Sequence, residues 1–187
     1  MAAFVYDLIY LKAGEKEFEE YLLSSDLYWP VGVKAPSGSP PYPRLTLGDM
    51  LLAQAKAHVL AGTSEERAEL AKIDERLDSL RSKWRVAWEN KATHEFRARS
   101  KLWSDFLSEY REHPENNADR YHYEVGRRVL LHLLSPYARI SGPEKDLITA
   151  LDDFLKVALI PGDFIWDDAL AAGFPPDPYW YLYGKLR

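Results

Sequence analysis

From Ser64 to His113 the chain contains neither glycine nor proline. Within that stretch apolar residues recur as Leu70, Ile73, Leu77, Leu80, Trp84 and Ala87 or Trp88, and resume at Leu102, Phe106 and Tyr110. Spacings of three and four trace one face of an α-helix, and Pro114 stops the pattern. A continuous helix of this span would be about 75 Å long at 1.5 Å per residue. A compact domain of this size has a radius of gyration of only about 16 Å. Such a helix must either overhang its core and meet a partner, or break. The stripe is weakest at Lys91, Glu95 and Ala98, and Asn90 and Thr93 are poor helix formers. If the helix breaks, the expected site is near residues 89–94.

The flanking sequence also reads as helical. Residues 15–24 place Phe18, Tyr21 and Leu22 on one face, whereas residues 4–11 fit a helix or a short strand. Residues 28–44 hold five of the twelve prolines and form an irregular loop. Thr46 and Asp49 make a capping pair for a helix over 47–61, and Gly62 supplies a left-handed C-cap. Thr63 and Glu66, then Ser141 and Glu144, form two further capping boxes. The tight Gly62–Thr63 junction folds two helices back on each other. A helix is expected over 117–134, and another from Ser141 with Leu147, Leu151, Phe154, Leu155 and Ala158 on its apolar face. Pro161-Gly162 ends that helix. A short helix over 164–172, capped by Asp163 and stopped by Gly173, precedes an aromatic tail, 174–187, that lies extended across the helices.

The expected fold is all-α: one domain spanning 1–187, with five to seven helices around a long, kinked or continuous central one. With 187 residues, a hydrophobic share of 47% and a charged share of 28%, the chain can bury a core unaided. It lacks cysteine, which removes disulfides, thiolate metal sites and cysteine nucleophiles. No signal peptide or membrane-spanning run is read, so a cytoplasmic location is expected.

Motifs for phosphate and nucleotide binding, H-E-x-x-H and G-x-S-x-G are absent. A metal bundle would need His58, His94, Glu95, His122 and Glu124 to converge, but no E-x-x-H pair supports it. Neither a metal nor a cofactor is expected. Residues 81–101 carry Arg81, Lys83, Arg85, Lys91, Arg97, Arg99 and Lys101 against Glu89 and Glu95. This basic segment, with Trp84, Trp88 and Trp103, could hold a nucleic acid or other polyanion. Acidic stretches on both sides of it, and a net charge of −5, argue against an extended duplex. The same basic residues could instead pair with the acid-rich stretch 144–168 of the chain itself. Aromatic residues in the loop and tail, Tyr28, Trp29, Tyr42, Tyr179 and Trp180, are candidate partner contacts, because Tyr and Trp are enriched at interface cores. A small-molecule pocket between helices is a further option, with no ligand selected. The preferred expectation is a non-enzymatic interaction or adaptor module that binds a protein partner or self-associates, with polyanion binding second and a helical metalloprotein or enzyme third.

Overall fold

The computed structural model describes residues 2–187, with Ala2 described in its backbone only. Among the described residues the helices are α1 (Ala2–Leu23), α2 (Leu47–Leu60), α3 (Ser64–Lys83), α4 (Arg85–Glu112), α5 (Pro114–Asn117), α6 (Tyr121–Glu124), α7 (Gly126–Leu134), α8 (Gly142–Ala158) and α9 (Pro176–Tyr179). Strands β1 (Leu159–Phe164) and β2 (Tyr183–Leu186) form one antiparallel pair. The all-α class holds, and α5, α6 and α9 are single turns of four residues.

The long helix breaks, but at Trp84 rather than at residues 89–94. Trp84 has φ −116° and ψ 40°, outside the helical region. Helical hydrogen bonds continue on both sides, from the Trp84 N–H to the Leu80 carbonyl at 2.8 Å and from the Trp88 N–H to the Trp84 carbonyl at 2.9 Å. The cause is tertiary. Glu19 of α1 accepts from the Trp84 indole Nε1 at 2.8 Å and from Lys83 Nζ at 2.7 Å, which anchors both side chains at the break. Asn90 and Thr93 lie inside α4. Thr93 Oγ1 donates to the Glu89 carbonyl and accepts the Arg139 N–H, so its polar group is satisfied within the helix.

The core is one contiguous cluster drawn from all the longer helices, in which Phe18, Tyr21, Leu45, Trp103 and Phe106 are among the fully buried side chains. Residues 4–11 resolve as helix, continuous with 15–24. Gly14 permits the close approach of α1 to α2, because a Cβ there would stand 2.4 Å from Met50 Sδ. Thr46, Thr63 and Ser141 cap α2, α3 and α8 as expected, the last two as full capping boxes. Gly62 is not a left-handed cap: α2 ends on Ala61 in extended backbone, and the Gly62 N–H donates to Glu66 Oε2 at 2.8 Å. The returning α3 brings Asp74 against Gln54 and His58 of α2.

The stretch 117–134 is divided by a 3-10 turn at Ala118–Arg120 and a break before Gly126. The Pro-rich loop closes at its base, where Trp29 and Leu45 exchange both backbone hydrogen bonds. Pro161-Gly162 does not merely stop α8; it lies in β1, and the pairing with β2 is irregular between Pro161 and Phe164. Proline is tolerated in a strand at such a bulge. Gly184 of β2 has φ +144° and lies so near β1 that a Cβ would meet the Ile160 carbonyl oxygen at 2.3 Å. The short helix expected over 164–172 is a 3-10 turn at Asp168–Gly173, capped by Asp167 rather than Asp163. The aromatic tail lies against the helices but is folded, with Phe174, Tyr181 and Leu182 fully buried. Among the described residues no helix is long and apolar enough to cross a membrane.

Candidate functional site

Of the aromatic candidates, four are engaged in packing. Trp29 holds the loop base. The Tyr42 ring lies 4.6 Å from that of Tyr6, and its hydroxyl donates to the Tyr6 carbonyl at 3.0 Å. Tyr179 is buried against Phe174 and His132, and Trp180 is half-buried beneath Lys156. Tyr28 is exposed, with the Arg99 guanidinium 6.0 Å from its ring centroid.

The basic candidates are also mostly occupied. Arg81 pairs with Asp78 and reaches the Tyr137 hydroxyl. Arg97 pairs with Glu144 at 2.6 Å, and Lys101 with Asp105 at 2.7 Å. Hydrogen bonds from Ser141 and from Arg97 hold the Glu144 carboxyl down to about 2. Lys91 is only 5% exposed; it donates to Ser24 Oγ and the Asp26 carbonyl and sits 4.3 Å from the Tyr21 ring centroid. Arg85 is exposed and forms no ion pair among the described residues. The acid-rich stretch 144–168 supplies only Glu144 to this segment; the other partners come from α1, α2, α3 and α4 itself.

Arg99 belongs to the most enclosed polar cluster. Glu95 is 0% exposed and accepts from the Gly48 N–H at 2.8 Å and from Arg99 Nη2 at 3.1 Å. The single proton of the Thr46 hydroxyl is shared between Glu95 at 2.7 Å and Asp49 at 2.9 Å, and Asp49 also pairs with Arg99. Burial pushes the Glu95 carboxyl up, opposed first by the Arg99 charge. Gly48 makes the room: a Cβ there would lie 2.7 Å from Glu95 Oε1. Every polar group of this cluster has a partner, so it fastens α2 to α4 and presents nothing to a ligand. The metal candidates do not converge: His58 pairs with Asp74, Glu124 with Arg120 and Arg127, and His122 lies against Tyr123. Among the described residues no group of three or more possible ligands could hold a metal.

An uncommitted apolar surface lies on α8. Ile148, Leu151, Leu155 and Ala158, spaced three, four and three, turn towards the core, yet only Leu155 is fully buried. Leu147, Ala150, Phe154 and Val157 repeat the same spacing one residue earlier. They form a second apolar stripe rotated by about 100° around the helix. Phe154 rests edge-on against Tyr110. Leu147 is 40% exposed and Val157 73% exposed. One position further round stand Asp146, Thr149, Asp153 and Lys156, all exposed, with Lys156 paired to Asp153 at 3.3 Å. The single apolar face expected for α8, with Leu147 and Phe154 beside Leu155, is thus two stripes. The three-four-three repeat running one residue earlier is the sequence signal that separates them.

The chain was compared with protein-family models, curated proteins and solved structures, and it matches none.

Proposed function

We propose that this protein is a helical interaction module whose α8 docks an amphipathic, basic-flanked helix from another protein. The observation that carries the reading is the second apolar stripe, with Val157 73% exposed beside Leu147 at 40%. A three-four-three spacing is the pattern by which one helix seats on another. Covering the surface these two side chains still expose would contribute about 1 kcal/mol each. On this flank Asp153 pairs with Lys156, while Asp146 is exposed and makes no ion pair among the described residues, so a Lys or Arg of the partner would meet Asp146. A cytoplasmic setting fits a chain with no cysteine.

The test is fluorescence anisotropy with a labelled helical peptide carrying leucines at three-four spacing, made in two forms with Lys/Arg or Asp/Glu flanks. The basic form binds, its affinity falls with salt, and the acidic form does not bind. Equal binding of both forms, or none by either, overturns the reading. Self-association through α8 would appear as a dimer in light scattering that Val157→Asp dissolves. Polyanion binding is the second reading; it predicts salt-sensitive binding of single-stranded nucleic acid that is lost when Arg85, Arg97 and Arg99 become Glu. The ion pairs already made by Arg97 and Arg99 weigh against it.

A further inference from the structure

A second, independent site lies at the opening of α1. The first turns of α1, the Pro-rich loop, α2 and the 3-10 turn at Asp168–Gly173 line an open cleft of about 260 Å³. It is lined by Ala3, Tyr6, Asp7, Pro40, Leu60 and Leu170, among others. Asp7 is only 8% exposed, and its carboxylate makes no hydrogen bond and no ion pair among the described residues. The carboxylate has no protein donor and meets solvent only through the cleft, which leaves it open to a ligand that brings a donor.

Two other polar groups of the wall, on Tyr6 and Asp167, are hydrogen-bonded. The Tyr6 hydroxyl donates to the Pro41 carbonyl at 3.4 Å. Asp167 Oδ1 accepts the Ala169 N–H at 2.9 Å in its capping role. Lys56 Nζ lies 5.0 Å from the Trp166 ring centroid and does not reach Asp7. Asp7 is thus the acidic group of the cavity that lacks a partner among the described residues. We propose that this cavity binds a small organic monoamine, its ammonium paired with the Asp7 carboxylate and its compact apolar body against Leu60, Leu170, Pro40 and the Tyr6 ring.

The chemistry is set by what the site lacks and what it already holds. An ammonium supplies the donors and the charge that Asp7 is missing. Lys56 at the wall repels a second cation, which excludes diamines and leaves one positive charge as the fit. The volume is below that of pockets built for drug-sized ligands, so a single ring on a short chain is the appropriate size. Burial raises the Asp7 carboxyl to about 6, and Lys56 draws it back. The carboxylate is therefore mostly ionised at neutral pH.

The experiment uses 2-phenylethylamine, with 2-phenylethanol and phenylacetate as uncharged and anionic analogues, titrated into the full chain and followed by amide chemical shifts at pH 7.5. The amine is expected to shift residues around Asp7, Lys56 and Leu170 saturably, and to bind about tenfold or more tightly than the alcohol. Asp7→Asn, a near-isostere that removes an unpaired buried charge, keeps the fold and loses that tenfold preference. Lys56→Gln, which removes the opposing cation, tightens amine binding. Tighter binding of phenylacetate, an amine affinity indifferent to Asp7→Asn, or no saturable shift with the amine each overturns the proposal.

Discussion

Helices α4 and α8 both carry apolar stripes, and they depart from the simple pattern in opposite ways. In α4 the stripe is interrupted by Lys91 and Glu95, yet both are buried, and their polar ends are met by Ser24, Asp26, Thr46, Gly48 and Arg99. In α8 the stripe is uninterrupted and is doubled, yet the second copy faces outward. A polar residue in an apolar stripe is compatible with a core when its hydrogen bonds close within the molecule. An apolar residue on an ordered helix is uncommitted when nothing in the molecule covers it. The first arrangement belongs to stability and the second to binding.

That contrast fixes a ranking of effects on unfolding free energy. Arg99→Met removes the charge that Glu95 and Asp49 share and should cost about 3–5 kcal/mol in denaturant unfolding; a loss under 1 kcal/mol would mean that the α4 cluster is not closed. Asp7 provides the opposite sign. Its folded pKa, about 6, lies above the usual carboxylate value, so the folded state holds a proton that the unfolded chain releases. Stability therefore falls as pH rises through roughly pH 4–6, with Lys56, Tyr6, Tyr42 and Asp167 the ionisable groups around it. Asp7→Asn should flatten that pH dependence and raise stability at pH 7 by up to about 3 kcal/mol. Urea titrations at pH 4, 5.5 and 7 would check it, and a steeper loss of stability with pH in the variant would refute it.

Gly48→Ala pushes a methyl group to 2.7 Å from Glu95 Oε1, an oxygen held by Thr46 and Arg99. It should cost about 1–3 kcal/mol, read as a lowered thermal midpoint. The smallest effect belongs to α8: Leu147→Gln with Val157→Gln should change stability by no more than about 0.5 kcal/mol. A loss comparable to that of Gly48→Ala would place the second stripe in the core.

Much of this fold was legible from local chemistry. The caps at Thr46, Thr63 and Ser141 satisfy backbone N–H groups within a few residues, so their pattern carries its own meaning. The break at Trp84 was not legible, because it depends on Glu19, which is distant in sequence. Lys91 and Glu95 suggested a break for the same reason: their partners lie in α1, α2 and the chain just after α1, and a stripe read alone cannot supply them. Strand β1 was hidden because Pro161-Gly162 signals an end to helix without specifying the next element, and its pairing with β2 spans the distance from Leu159 to Leu186. Within the candidate sites, the α8 stripe was written in the spacing. The isolation of Asp7 was not, since an unpaired carboxylate is visible only once its neighbours are in place.

Hydrogen–deuterium exchange of the full chain, with and without the basic-flanked helical peptide, tests the central claim most directly. The account predicts added protection confined to Gly142–Ala158 and the adjoining β1, abolished by Leu147→Gln with Val157→Gln. Protection centred instead on residues 81–101, or retained in the double variant, would contradict it.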